Sequence, residues 1–420
     1  MNTLQSFDRL VLPNGLTIVG ERIPHFKSVA VGVWVRTGSA DEAPLRQGYS
    51  HFVEHMVFKG AGERNLKQLA EEMDLIGGQM NAFTSKECTC FYAKVMDEHL
   101  DRALSLLADL TMRPHFPAGE LEKEKGVVLE EIAMGEDMPE DMVHEQLALA
   151  LFGDHPLGGS ILGPKENIEA ANRESLLAFL RQRYLPGNAV LSVAGHYDWP
   201  VLTEKVRRAF DGWQGAYVHS LYPPVSYRSA RLFRRKDTEQ THVCLGFPSL
   251  AMDEEGSFSL AVLNNLLGGS MSSRLFQGIR EDAGLAYNVY SYASAYVGAG
   301  DLVLYAGTNP RSAQEVSDRM AGEVKRLLRQ GVPAEEFEKS REQIKGVYVL
   351  GMEATTARMN AMGKGQLLTG KLRSQEDYLQ RLKAASREEA MALAERIFRT
   401  PPAASVVGPE NIRFDAWEEI

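Results

Sequence analysis

The chain repeats itself, and that repeat does most to narrow the folds open to it. Pro117-Ala-Gly-Glu-Leu-Glu-Lys123 returns as Pro333-Ala-Glu-Glu-Phe-Glu-Lys339 at an offset of 216. Asn172-Arg-Glu-Ser-Leu-Leu-Ala-Phe-Leu-Arg-Gln-Arg-Tyr184 is similar to Ser386-Arg-Glu-Glu-Ala-Met-Ala-Leu-Ala-Glu-Arg-Ile-Phe398 at an offset of 214. Each of these helical segments runs into a turn and a short apolar strand, residues 188–195 and 403–408. Two matches in one order at nearly one offset predict two homologous domains of about 200 residues each. The join falls where Gly212, Gly215, Pro223 and Pro224 interrupt any long periodic segment. The expected division is an N-terminal domain over 1–212, a linker over 213–228 and a second domain over 229–420.

Within each half, strands come first and helices follow. Val29-Ala-Val-Gly-Val-Trp-Val35 and His242-Val-Cys-Leu-Gly-Phe247 read as strands, and Pro13-Asn-Gly15 as a hairpin turn. Residues 98–112 and 312–328 carry the helical period. The expected class is α+β, each domain a mainly antiparallel sheet with helices on one face.

Composition removes some functions. With 46 basic and 56 acidic residues the formal net charge is −10, a poor match to nucleic acid. No run of apolar residues is long enough to span a membrane, and the first residues read as strand rather than as a leader. Cys88, Cys90 and Cys244 form no disulfide framework. Free buried thiols in a reducing compartment, and so a cytoplasmic protein, are expected.

The chemistry concentrates in Gly48-Tyr-Ser-His-Phe-Val-Glu-His-Met-Val-Phe-Lys-Gly60. Ser50 is the expected N-cap of a helix beginning just before His51. Residues four apart on a helix lie roughly 40° apart around the axis and about 6 Å along it. His51 and His55 therefore present two imidazoles to one ion. Glu54, beside them, reaches a water on that ion without being a ligand. Zinc lowers the water's pKa and a carboxylate completes its deprotonation. The same acid then protonates the leaving amine.

The order His-x-x-Glu-His is the inverzincin signature, and the chain resembles that family, which includes pitrilysin, insulin-degrading enzyme and the mitochondrial processing peptidase. The resemblance is nearest to small two-domain processing-peptidase-like bacterial members and runs over nearly the whole chain. It implies a third zinc ligand on a later helix. In Glu124-Lys-Gly-Val-Val-Leu-Glu-Glu-Ile132 it assigns Glu131, 76 residues past His55, as that ligand, and Glu124 as the glutamate that orients a ligand histidine. Glu130 is the rival ligand, but a helix turns it about 100° away. One Zn2+ per chain is implied.

Two more segments carry the resemblance. Asn81-Ala82, in Gly77-Gly-Gln-Met-Asn-Ala-Phe-Thr84, is similar to the family's active-site edge strand. An extended substrate would pair with it, and Asn81 would donate to the developing oxyanion. Leu267-Gly-Gly-Ser-Met-Ser-Ser-Arg-Leu-Phe276 with Arg280 and Tyr287 is similar to the family's glycine loop and Arg-Tyr pair. The resemblance implies that Tyr287 helps hold the oxyanion and Arg280 the substrate backbone. The second half keeps no metal site, since the offset carries Glu124 to Ser340 and Glu131 to Val347.

The implied activity is that of a zinc endopeptidase cutting unfolded peptides or presequences inside a closed chamber. The implied architecture is half of a clam shell, completed by a homodimer or by an inactive homologue. The alternative is a non-catalytic structural or partner subunit, which typically loses a ligand or the catalytic glutamate.

Overall fold

The computed structural model describes residues 7–216 and 222–420. The expected linker lies partly outside them, as does His219. The first sheet holds β1 (Asp8–Val11), β2 (Thr17–Arg22), β3 (Ser28–Val35), β6 (Gln79–Thr84), β7 (Thr89–Met96) and β8 (Ala189–Gly195). A short hairpin, β4 (Gly60–Ala61) and β5 (Arg64–Asn65), stands apart. The spatial order is β1-β2-β8-β3-β7-β6, with only β2 and β8 parallel. The second sheet holds β9 (Arg231–Arg235), β10 (Thr241–Pro248), β11 (Ala286–Tyr296), β12 (Ala299–Thr308) and β13 (Ala403–Gly408). Its order is β11-β12-β10-β13-β9, with only β9 and β13 parallel. From β2 to β6 the first sheet has the plan of the second, as the duplication requires.

Two compact units form, and they do not follow the linear halves. One takes the described residues within Met1–Ile132, Ser160–Tyr222 and Val349–Glu376; the other takes Ala133–Gly159, Pro223–Tyr348 and Asp377–Ile420. Each half lends a helix. Thr355–Thr369 packs on β3, β8 and β2, and Pro139–Phe152 packs on β13 and β10. The cause is visible in the strands. β8, β12 and β13 are buried throughout and β3 nearly so, which is the mark of strands covered on both faces. Helices of the same half cover one face; the lent helix covers the other.

The lent helix in the first unit fits its sheet closely. Trp34 is almost wholly buried and donates from Nε1 to Ser192 Oγ at 2.9 Å. Gly363 lies flat on that indole, where an added Cβ would stand 2.1 Å from Nε1. Met359 fills the space over Gly32, and Arg358 pairs with the buried Glu21. No helix among the described residues is long and apolar enough to cross a membrane.

Candidate metal centre

The His-x-x-Glu-His helix spans Tyr49–Val57. Its inner face, Phe52, Val53, Met56 and Val57, is sealed in the core. Ser50 is not its cap. The N-cap is Gly48 at φ +94°, and the free N–H groups go to a carboxylate from the preceding loop. Glu42 accepts from Gly48 N at 2.7 Å and from Ser50 N at 2.5 Å. Ser50 sits inside the first turn, wholly buried, with its side chain against Glu42. Only glycine fits at 48, because a Cβ there would lie 2.4 Å from Leu162 O. Burial pushes the Glu42 carboxyl up to about 7, against the pull of its N–H donors.

His51 and His55 project from consecutive turns with their Nε2 atoms 3.2 Å apart. Glu131 Oε2 lies 3.7 Å from the first and 3.6 Å from the second. It comes from the helix Ala118–Asp137. These three residues form the one such group of ligand-type side chains found among the described residues. The arrangement fits zinc. Two nitrogens bound tetrahedrally at about 2.0–2.1 Å lie roughly 3.3 Å apart, and Glu131 Oε2 is buried with no other partner. Burial, with His55 alongside, lowers His51 to about 4, so it stands neutral as a ligand must. Glu130 is exposed on the neighbouring face.

Glu124, buried on the same helix, faces His55: Oε1 is 3.0 Å from Nδ1. With the proton on Nδ1, the lone pair of Nε2 points at the site. Its other oxygen lies 2.6 Å from Lys59 Nζ. Glu54 stands beside the triad, and its Oε2 accepts from Thr84 Oγ1 at 2.5 Å. Burial raises its pKa, the Thr84 bond and His55 lower it, and Glu131 raises it.

Three contributors escape sequence reasoning: Glu42, Lys59 and Thr84. Lys59 continues the four-residue spacing of His51 and His55, a signal that was available. Thr84 shares a strand face with Ala82, which was also readable. Nothing local marks Glu42.

Asn81 and Ala82 lie on β6, an edge strand as expected. Alternation divides them. Met80 and Ala82 pack towards the helices of the first core, whereas Phe83 packs with Trp34, Cys90 and Met359 on the other face. Asn81 shares the side of Phe83, and its Oδ1 accepts from Ala82 N at 2.8 Å. Its exposed side chain therefore lies on the opposite strand face from Ala82 and Thr84.

Arg280 and Tyr287 come together in the second unit. The guanidinium stacks over the rings of Phe276 at 4.8 Å and Tyr287 at 5.0 Å, and Tyr287 is 71% exposed. The loop before them is tied down by Arg274, which reaches Glu336 at 2.7 Å and Gly331 O at 3.0 Å. The counterpart of the His helix, Ser257–Asn264, starts from Gly256 at φ +88°, as its partner starts from Gly48. There Ser340 Oγ donates to Val262 O at 3.1 Å. The cysteines are free and buried.

Comparison with known proteins agrees with this geometry. Residues 17–165 match the family described as insulinase, peptidase family M16, and residues 170–344 match its companion, the peptidase M16 inactive domain. A Bacillus subtilis protein named as the uncharacterized zinc protease YmxG is 43% identical over 408 residues, covering 96% of this chain and 98% of its own. An uncharacterized zinc protease of Streptomyces coelicolor is 38% identical over 411 residues, covering 96% and 89%. Among solved structures, a protease from Helicobacter pylori superposes with a TM-score of 0.90 at 21% identity, over 96% of this chain and all of that one. A peptidase M16 inactive domain protein from Pseudomonas fluorescens gives 0.91 at 17% identity, over 97% and 99%. With its His-x-x-Glu-His helix and relatives matched from end to end, the chain belongs to peptidase family M16, the inverzincins.

Proposed function

We propose that this protein is a zinc endopeptidase, with His51, His55 and Glu131 as the metal's ligands and Glu54 as the base. The observation that carries the reading is the convergence, among the described residues, of three protein ligand atoms beside a carboxylate that is not one of them. A structural zinc site is closed by four protein ligands, whereas a catalytic one keeps a position open. Zinc held by His51, His55 and Glu131 would supply Lewis acidity towards the scissile carbonyl and a more acidic water. Glu54 takes the proton from the attacking water and returns it to the amine nitrogen as the C–N bond breaks. Glu124 holds His55 in the ligand tautomer. β6 offers free backbone groups to an extended peptide.

The family resemblance supports the finer points of the proposal. Unfolded peptides are the substrates, Arg280 and Tyr287 serve the substrate backbone and the oxyanion, and a homodimer completes a chamber. The free thiols favour the cytoplasm. The alternative, a non-catalytic subunit, sits poorly with five site residues all in place: His51, Glu54, His55, Glu124 and Glu131.

The test is hydrolysis of a quenched fluorescent library of basic peptides by native protein and Glu54→Gln, with zinc measured on both. Cleavage lost in the variant while zinc stays bound supports the reading. A zinc-loaded native protein that cuts nothing, alone or mixed with a homologue, overturns it.

A further inference from the structure

We infer that Thr84 is a positioning residue: its hydroxyl holds Glu54 Oε2, so that Oε1 is the oxygen that exchanges the proton with water and leaving amine. The inference rests on the zinc-peptidase reading of the site.

The proton of Thr84 has one good destination. Its Oγ1 lies 2.5 Å from Glu54 Oε2 and 3.5 Å from Thr89 Oγ1. Thr89 has already given its own proton to Thr37 O at 2.8 Å, so it cannot donate to Thr84. A hydroxyl bound to an ionised carboxylate makes a short, strong bond, and that bond fixes the rotation of the carboxylate. A glutamate side chain is otherwise broadly free about its last torsion.

Thr84 is itself held firmly. It pairs with Thr89 across the turn joining β6 and β7. That turn is closed by Ser85 N to Cys88 O at 2.8 Å. It is docked on the loop before the His helix by Ser39 N to Ser85 O at 3.1 Å and Ala40 N to Lys86 O at 2.8 Å. Gly38 permits the docking, since a Cβ there would lie 2.3 Å from Ser85 O. The base is thus aimed from the strand side and not from its own helix.

The consequence is a fixed register. Ala82 and Thr84 stand two residues apart on one strand face, about 6.5–7 Å along the strand. A peptide pairing with the outer edge of β6 is therefore placed by the same strand that holds the base. The water's oxygen bonds to the carbonyl carbon as the C=O π pair moves onto the carbonyl oxygen, and one water proton passes to Oε1. That proton goes to the nitrogen as the π bond re-forms and the C–N bond breaks. Oε2 keeps its bond to Thr84 throughout.

The test compares Thr84→Val, which removes only the hydroxyl, with Thr84→Ser, which keeps it. Zinc content, kcat and KM are measured on a peptide that the native protein cleaves. Loss of one bond to a charged group predicts a kcat lower by roughly ten- to hundredfold in Thr84→Val. KM should stay within about twofold, zinc content should be unchanged, and Thr84→Ser should recover most of the rate. A second readout needs no activity. In metal-free protein the melting shifts of Thr84→Val and Glu54→Ala should be non-additive, the double variant melting near Glu54→Ala alone. Full kcat in Thr84→Val, a loss carried by KM, a Thr84→Ser no better than valine, or additive melting shifts in an active enzyme each overturn the role of Thr84 alone. A native protein that loads zinc and cleaves nothing overturns the peptidase reading, and this role with it.

Discussion

Lys59 Nζ lies 2.6 Å from one oxygen of Glu124, and the other oxygen of that carboxylate lies 3.0 Å from His55 Nδ1. One buried carboxylate thus faces a cation and a ligand imidazole. Lysine offsets the cost of burying the Glu124 charge and fixes the carboxylate in the orientation that accepts the imidazole N–H. Lys59→Met should weaken zinc binding by roughly ten- to hundredfold, the usual cost of losing a partner behind a ligand. Lys59→Arg should lose less. Competition with a chromophoric chelator measures both; native affinity in Lys59→Met would remove Lys59 from the site.

Metal should also show itself as stability. His51 and His55 come from one helix and Glu131 from another, so an ion joining them binds the folded state and not the unfolded chain. Free zinc at about a thousand times Kd adds roughly 4 kcal/mol. Stripping the protein with a chelator should lower its melting temperature, and zinc should restore it. In Glu131→Ala the zinc-dependent shift should largely vanish. A shift of native size there would place the ion elsewhere.

Glu42 gives a pH dependence with a definite sign. Burial raises its carboxyl from 4.5 to about 7, so the native state keeps the proton longer than the unfolded chain does. Its contribution favours folding below about 4.5 and is lost as pH climbs through about 7. Glu42→Gln has one acceptor oxygen for two N–H groups and should cost about 1–2 kcal/mol at low pH. The advantage of the native protein over this variant should then shrink between about pH 4.5 and 7. Asp41, also raised by burial, to about 6, titrates in both proteins, and its charge adds to the rise of Glu42. An advantage that grows across this window would mean that the N–H donors outweigh burial.

Tyr287 separates function from stability. Its hydroxyl stands on an exposed side chain, and the ring under Arg280 survives in Tyr287→Phe. Melting should be unchanged. On the proposed oxyanion role, loss of that donor lowers kcat by about 10²–10³. Unchanged kcat would confine Tyr287 to its stack with Arg280.

Much of this was legible because its causes are local. The four-residue spacing of His51 and His55 is a helix property, and Val29-Ala-Val-Gly-Val-Trp-Val35 lacks the alternation of a half-exposed strand. The expectation of helices on one face was wrong for this sheet: the run needed cover on both faces, and nothing in it says what supplies the second. The cover is a helix more than 300 residues away, chosen by the fit of Gly363 to Trp34 and of Met359 to Gly32. The cap was missed for the same reason: Ser50 looked sufficient, while Glu42 reaches the helix end only after the loop turns back. Asn81 and Ala82 fall on the edge strand, but alternation puts them on opposite faces.

The lent helix offers the sharpest test of the fold. Gly363 sits where a Cβ would approach Trp34 Nε1 at 2.1 Å and two further indole atoms at 2.5 Å. The indole cannot retreat, being buried and bonded to Ser192. Helix propensity alone says that Gly→Ala in a helix interior stabilises by about 0.8–1 kcal/mol. Overpacking a rigid core costs about 1–3 kcal/mol, occasionally more, and should win here. Gly363→Ala is therefore expected to destabilise by about 1–2 kcal/mol net. Gly322, inside the helix Ala313–Gln330 with nothing near its Cβ position, should respond to the same change with the opposite sign. Denaturant unfolding of both variants checks the pair. A stabilised Gly363→Ala would show that the helix Thr355–Thr369 does not lie on Trp34 as described.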